Sequence, residues 1–167
     1  RAIVRLTVGG EANAHVIFDV ARHAPRMALV YDQALYLLDP RESYDQLPAP
    51  VYRPSTGVTI YSIPSITADG ARIAILEQSG NISTIKEIEA ATGRVKKLLA
   101  KDWWIGHVHY VPGDESWVAF CHEGPTEKIP DRVWVWHAAH APEGRCVFDQ
   151  KSDDAGEFLN VGHERWG

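Results

Sequence analysis

The stretch Ala68-Asp69-Gly70-Ala71-Arg72-Ile73-Ala74-Ile75-Leu76, followed by Ile85-Lys86-Glu87-Ile88 and the turn Ala91-Thr92-Gly93-Arg94 ahead of Val95 and Leu98, decides the fold. Aspartate-glycine and threonine-glycine punctuate short runs rich in β-branched residues, which is how antiparallel strands joined by tight turns are written. The same order occurs upstream, in Ala24-Pro25-Arg26-Met27-Ala28-Leu29-Val30-Tyr31 and then Leu35-Tyr36-Leu37-Leu38-Asp39. It occurs again downstream, in Pro112-Gly113-Asp114-Glu115-Ser116-Trp117-Val118-Ala119-Phe120-Cys121, then Arg132-Val133-Trp134-Val135-Trp136 and a turn at Pro142-Glu143-Gly144-Arg145 before Val147.

Aligned on Leu29, Ile75 and Phe120, the three copies lie 46 and 45 residues apart. That period suits propeller blades of four short strands. The expectation is an all-β chain, a single partial β-propeller domain over 1–167, with approximate blades at 1–50, 51–105 and 106–150 and the start of a further one at 151–167. A β-sandwich with accidental internal similarity is the alternative. Seven such blades need about 315 residues, so three to four are expected here, with open blade edges that favour self-association.

Composition agrees with a packed soluble domain. The chain has 167 residues, 45% apolar and 23% charged, with 17 Lys+Arg against 22 Asp+Glu and a formal net charge of −5. Membrane partners are not expected, because no apolar run approaches the roughly 20 residues of a membrane helix. Nucleic acid is not expected either, because a mildly acidic chain lacks the positive field that binds it. Cys121 and Cys146 form no CxxC pair and read as small buried side chains. The chain begins at Arg1, its one methionine is Met27, and Asn160-Val161-Gly162-His163-Glu164-Arg165-Trp166 reads as the opening of another unit, so a piece of a longer product is expected.

The polar residues of interest sit beside the turn signals. Ile105-Gly106-His107-Val108-His109 is an HxH on a strand, and alternation points both imidazoles to one side. With His122 they make one candidate metal trio, and polar residues at a strand edge are the plainer reading. Phe120-Cys121-His122-Glu123-Gly124-Pro125 carries an imidazole and a carboxylate into a Gly-Pro turn, on opposite faces of the strand. Arg132 opens the next strand and can clamp a carboxylate by two parallel hydrogen bonds, or be neutralised by Asp131 or Glu123. Gly162-His163 repeats the Gly106-His107 step.

Together, Trp104-Ile105-Gly106-His107, Pro112, Phe120-Cys121-His122-Glu123-Gly124-Pro125, Asp131-Arg132-Val133-Trp134 and Gly162-His163-Glu164 with Trp166 resemble the oligogalacturonate lyase family of pectin-degrading enzymes. The likeness runs over roughly residues 60–167, and Val4-Arg5-Leu6-Thr7 is more distantly similar to the family's first blade. The resemblance implies a seven-bladed propeller whose funnel binds short, usually unsaturated, oligogalacturonates and cleaves them by β-elimination in the cytoplasm. It implies that His163 is the base at C5, that Arg132 lies near the substrate carboxylate, and that His107, His122 and Glu123 line the site. It also implies a divalent metal, typically manganese, whose ligands would fall beyond Gly167; His109 departs from the family pattern. Such an elimination needs a cation on the uronate carboxylate and a base of near-neutral pKa at C5. The competing expectation is a non-catalytic propeller-type module that recognises acidic sugars.

Overall fold

The computed structural model describes residues 16–148, 150 and 161, and no helix occurs among them. Sheet one is β1 (Ile17–Val20), β2 (Met27–Tyr31) and β3 (Ala34–Leu38), in chain order and antiparallel. Tyr52 adds an isolated bridge to Leu35 on its far side. Sheet two begins with a split strand, β4 (Thr59–Ile60) and β5 (Ser65–Ile66), both paired with β6 (Arg72–Ser79), and continues through β7 (Ile82–Glu89) to β8 (Val95–Lys101). Sheet three is the meander β9 (Ile105–Tyr110), β10 (Trp117–His122), β11 (Val133–His137) and β12 (Ala141–Phe148).

Leu29, Ile75 and Phe120, the residues on which the copies align, each sit in the second strand of a sheet and are buried. Such strands are apolar on both faces because both faces are covered. In β6, Ile73 and Ile75 pack with Ala28, Val30 and Leu35 of sheet one, whereas Ala74 and Leu76 pack with Ile105, Val118 and Phe120 of sheet three. Alternation along one strand thus serves two cores. A third cluster, including Met27, Leu29 and Leu38, covers the other face of sheet one.

Neighbouring sheets are tied by side chains that accept backbone N–H groups at the edge of the next sheet. Asp19 accepts from Ile66 N at 2.9 Å, and Ser65 Oγ accepts from Tyr110 N at 3.1 Å. Ser83 Oγ accepts from Ile105 N at 3.1 Å, and Glu115 accepts from Ala68 N at 2.6 Å. Buried donors would otherwise go unsatisfied.

Two sequence expectations change. The expected turn at Pro142–Arg145 lies inside β12; the chain turns earlier, between His137 and Ala141. Gly144, with φ of 75°, instead serves an irregularity where Trp136 faces extra residues of β12 and donates its indole N–H to Pro142 O at 3.0 Å. Of the two cysteines only Cys121 is buried; Cys146 is half-buried on the outer strand.

Candidate active site

β1, the split strand β4/β5 and β9 are the first strands of the three sheets, and they wall one cavity of about 690 Å³. At one end of it the Trp104–His109 segment meets the chain leaving β10. Gly106 is opposite Cys121 and His109 opposite Ala119, so His107 and Val108 together face Phe120. This is a β-bulge, and His107 takes its left-handed position with φ of 48°, uncommon for a residue with a Cβ. His107 and His109 both line the cavity, but the bulge interrupts the simple alternation expected for them. His109 Nδ1 lies 2.7 Å from the carbonyl oxygen of His107.

Glu123 reaches back over Gly106. A Cβ there would stand 2.3 Å from Glu123 Oε1 and 2.7 Å from its Cγ, so the glycine is needed for this close approach. Glu123 Oε1 lies 3.5 Å from His107 Nε2 and 3.1 Å from the Cys121 thiol, which donates to it. Its Oε2 accepts from Arg132 Nη2 at 2.8 Å, and Arg132 Nη1 donates to Gly124 O at 3.3 Å. Imidazole, carboxylate and guanidinium therefore form a continuous chain running inward from the cavity. Half-buried Glu123 orients the imidazole, and an imidazole is the side chain best suited to exchange a proton near neutral pH.

Of the five residues singled out from the sequence, His107, Glu123 and Arg132 are brought together. Arg132 is only 6% exposed and lies behind Glu123, outside the cavity lining. His122 points to the other face of β10, where its ring packs on Trp103 at 4.1 Å and Nδ1 meets Asp131 Oδ1 at 3.0 Å. It does not line the cavity, and the trio His107, His109 and His122 does not assemble. His163 lies outside the described residues. Tyr61, which lines the cavity with Trp104, belongs to no motif in the sequence. Its signal is weak, because Tyr61 falls in the short break between β4 and β5 that only the pairing to β6 reveals.

Among the described residues, the ligand atoms of His107, Cys121 and Glu123 come within 4.8 Å of one another. The set does not suit manganese. That ion prefers oxygen and nitrogen donors to a soft thiolate, and the carboxylate already faces the Arg132 guanidinium, whose charge would repel a cation.

A cavity walled by the leading strands of successive sheets, with imidazole, carboxylate and aromatic side chains at one end, defines an all-β protein with a pocket of ligand size. The family model for oligogalacturonate lyase matches residues 68–166, more than half of the sequence. The chain belongs to the oligogalacturonate lyase family.

Individual relatives agree. The chain is 43% identical to the oligogalacturonide lyase of Pectobacterium atrosepticum over 79 residues, 47% of this chain and 19% of that protein. It is 45% identical to the oligogalacturonate lyase of Dickeya dadantii over 71 residues, 37% of this chain and 18% of that protein. Among solved structures, it is similar to an oligogalacturonate lyase in complex with manganese, with a TM-score of 0.67 at 20% identity over 80% of this chain and 40% of that one. The oligogalacturonate lyase of Vibrio parahaemolyticus gives a TM-score of 0.61 at 19% identity over 71% of this chain and 36% of that one. These matches span well under half of each relative, and the structural likeness speaks to the fold.

Proposed function

We propose that this chain is part of a lyase that cleaves short oligogalacturonates by β-elimination. The observation that carries the reading is the family match over 68–166, together with the His107–Glu123–Arg132 chain at one end of the cavity. In this reading the three sheets are consecutive blades, 1–50, 51–105 and 106–150, of a seven-bladed propeller, and 151–167 opens the next. Their chain-order meanders and shared cavity support it.

The reaction removes the C5 proton of a uronate and breaks the bond from C4 to the glycosidic oxygen. A C4–C5 double bond forms, and the departing oxygen takes up a proton. His163 is the proposed base. Arg132 is the proposed cation for the uronate carboxylate, and in the described geometry its charge is shared with Glu123. His107 and Glu123 line the approach to C5, and Glu123 fixes the imidazole.

The solved relative contains manganese, and a divalent metal is proposed for the whole protein, with ligands beyond Gly167. No step is assigned to it here, since the donors at His107, Cys121 and Glu123 do not suit it. No helix among the described residues is long and apolar enough to cross a membrane. A cytoplasmic site of action and self-association through sheet edges complete the proposal; light scattering that gives a monomeric mass at high concentration would remove the second.

The test is incubation with digalacturonate, with and without manganese, followed by mass spectrometry for the 4,5-unsaturated uronate or the isobaric keto-deoxyuronate to which it ring-opens. In the whole protein, product that disappears in His163→Ala is expected. Product that persists in that variant sinks the assignment of the base. Binding of digalacturonate without turnover under any metal condition favours the acidic-sugar-binding module instead.

A further inference from the structure

Two large aromatic side chains at the cavity are left open. Tyr61 is 50% exposed and Trp104 44% exposed, and both line the cavity at the end where Gly106, His107 and Glu123 gather. Their rings meet edge to face, with centroids 5.7 Å apart and an interplanar angle of 75°. That arrangement satisfies the ring quadrupoles and leaves a broad ring face uncovered.

Both are held in place by the backbone. Tyr61 N donates to Leu76 O at 2.9 Å, and Trp104 O accepts from Glu123 N at 2.7 Å. The second bond ties the indole to the residue that orients His107. The contrast with the preceding residue is informative: Trp103 packs inward on Phe120, His122 and Trp134. Of two adjacent tryptophans, one completes the core and the other is turned to the cavity.

We propose that Tyr61 and Trp104 form a stacking platform for one pyranose ring of the oligogalacturonate; this rests on the function proposed above. The occupant follows from the chemistry of the sugar. A galacturonate ring is polar on its rim, but one face carries the C3–H, C4–H and C5–H bonds together, and that face is the apolar surface an indole covers. The C5 proton is also the one the elimination removes. A ring stacked by that face has its C5–H shielded from any base, so the platform holds the neighbour of the reacting ring and sets which glycosidic bond lies beside His107 and Glu123. Tyr61 and Trp104 are thus positioning residues that select for oligomers over monomers.

The test is calorimetric titration of the full chain with digalacturonate, with uncharged galactobiose as the comparison and circular dichroism to verify folding. Trp104→Ala is expected to weaken digalacturonate binding by about tenfold, Tyr61→Ala by somewhat less, and Trp104→Phe to restore most of the affinity because a ring face is retained. In saturation-transfer NMR, irradiating aromatic protons should label the C3, C4 and C5 protons of one ring far more than those of the other. Unchanged affinity in folded Trp104→Ala overturns the platform and leaves the lyase reading standing. Equal labelling of both rings overturns the assignment to the neighbouring ring. Equal binding of galactobiose and digalacturonate overturns uronate recognition, and no binding of either by the wild type overturns the platform outright.

Discussion

Glycine 106 is where one hydrogen atom in place of a methyl group decides the geometry of the site. Gly106→Ala would drive a Cβ against the Glu123 carboxylate, which is pinned by Arg132 and cannot retreat freely. The expected loss of stability is about 1–3 kcal/mol, the usual range for overpacking, read from urea denaturation. Arg132→Met tests the same cluster from the other side. Glu123 would keep a charge that is 15% exposed with no guanidinium opposite it. Breaking a buried pair in this way costs about 3–5 kcal/mol, and replacing both residues with apolar ones should recover much of that. A loss below about 1 kcal/mol, the range of exposed pairs, would show that the pair is solvated in solution.

Among elements, β6, β7 and β9 meet through a polar network. Tyr110 of β9 donates its hydroxyl to Glu87 Oε2 at 3.0 Å, and Arg72 Nη1 holds the same oxygen at 3.0 Å while its guanidinium lies over the Tyr110 ring. Burial, with the Glu87 charge second, pushes the Tyr110 phenol far above the ordinary tyrosine range. In the unfolded chain that phenol ionises near pH 10, whereas the folded state keeps its proton. The contribution is therefore fully present below about pH 10 and falls as the pH rises further, because the unfolded state then binds fewer protons. The denaturation midpoint should drop more steeply above pH 10 in the wild type than in Tyr110→Phe; parallel profiles would show that Tyr110 titrates normally. A second network joins sheet one to sheet two: Glu77 pairs with Lys86 at 2.6 Å and accepts from the Tyr52 hydroxyl.

At the scale of the whole molecule, sheet two is the one packed between two other described sheets, sheet one on one face and sheet three on the other. Repeat proteins open according to nearest-neighbour contacts. The amides of β6 and β7 should therefore be the slowest to exchange with deuterium, and those of β1 and β12 the fastest among the strands. Uniform protection across all three sheets would mean that the chain opens only as a single unit. If copies pair through sheet edges as proposed above, exchange along β12 should slow as concentration rises.

By itself the sequence determined the central strands of each sheet and their order, but not the turn into β12 or the break between β4 and β5. Apolar runs broken by Asp-Gly, Thr-Gly and Pro-Gly turns leave the backbone few alternatives, and the repeat spacing placed Leu29, Ile75 and Phe120 in corresponding strands. The residue types of the site were also legible, as was the opposition of His122 and Glu123, because neighbouring strand residues face opposite ways. Tertiary structure decided the rest. The bulge at His107 exists only in the pairing of β9 with β10, and the close approach of Glu123 to Gly106 needs two strands brought side by side. The sequence allowed Arg132 either a substrate or an internal partner, and pairing of β10 with β11 set it against Glu123 behind the cavity wall. Which of two adjacent tryptophans faces the cavity is likewise a property of packed sheets: a linear pattern records the alternation, but only packing decides which face becomes core.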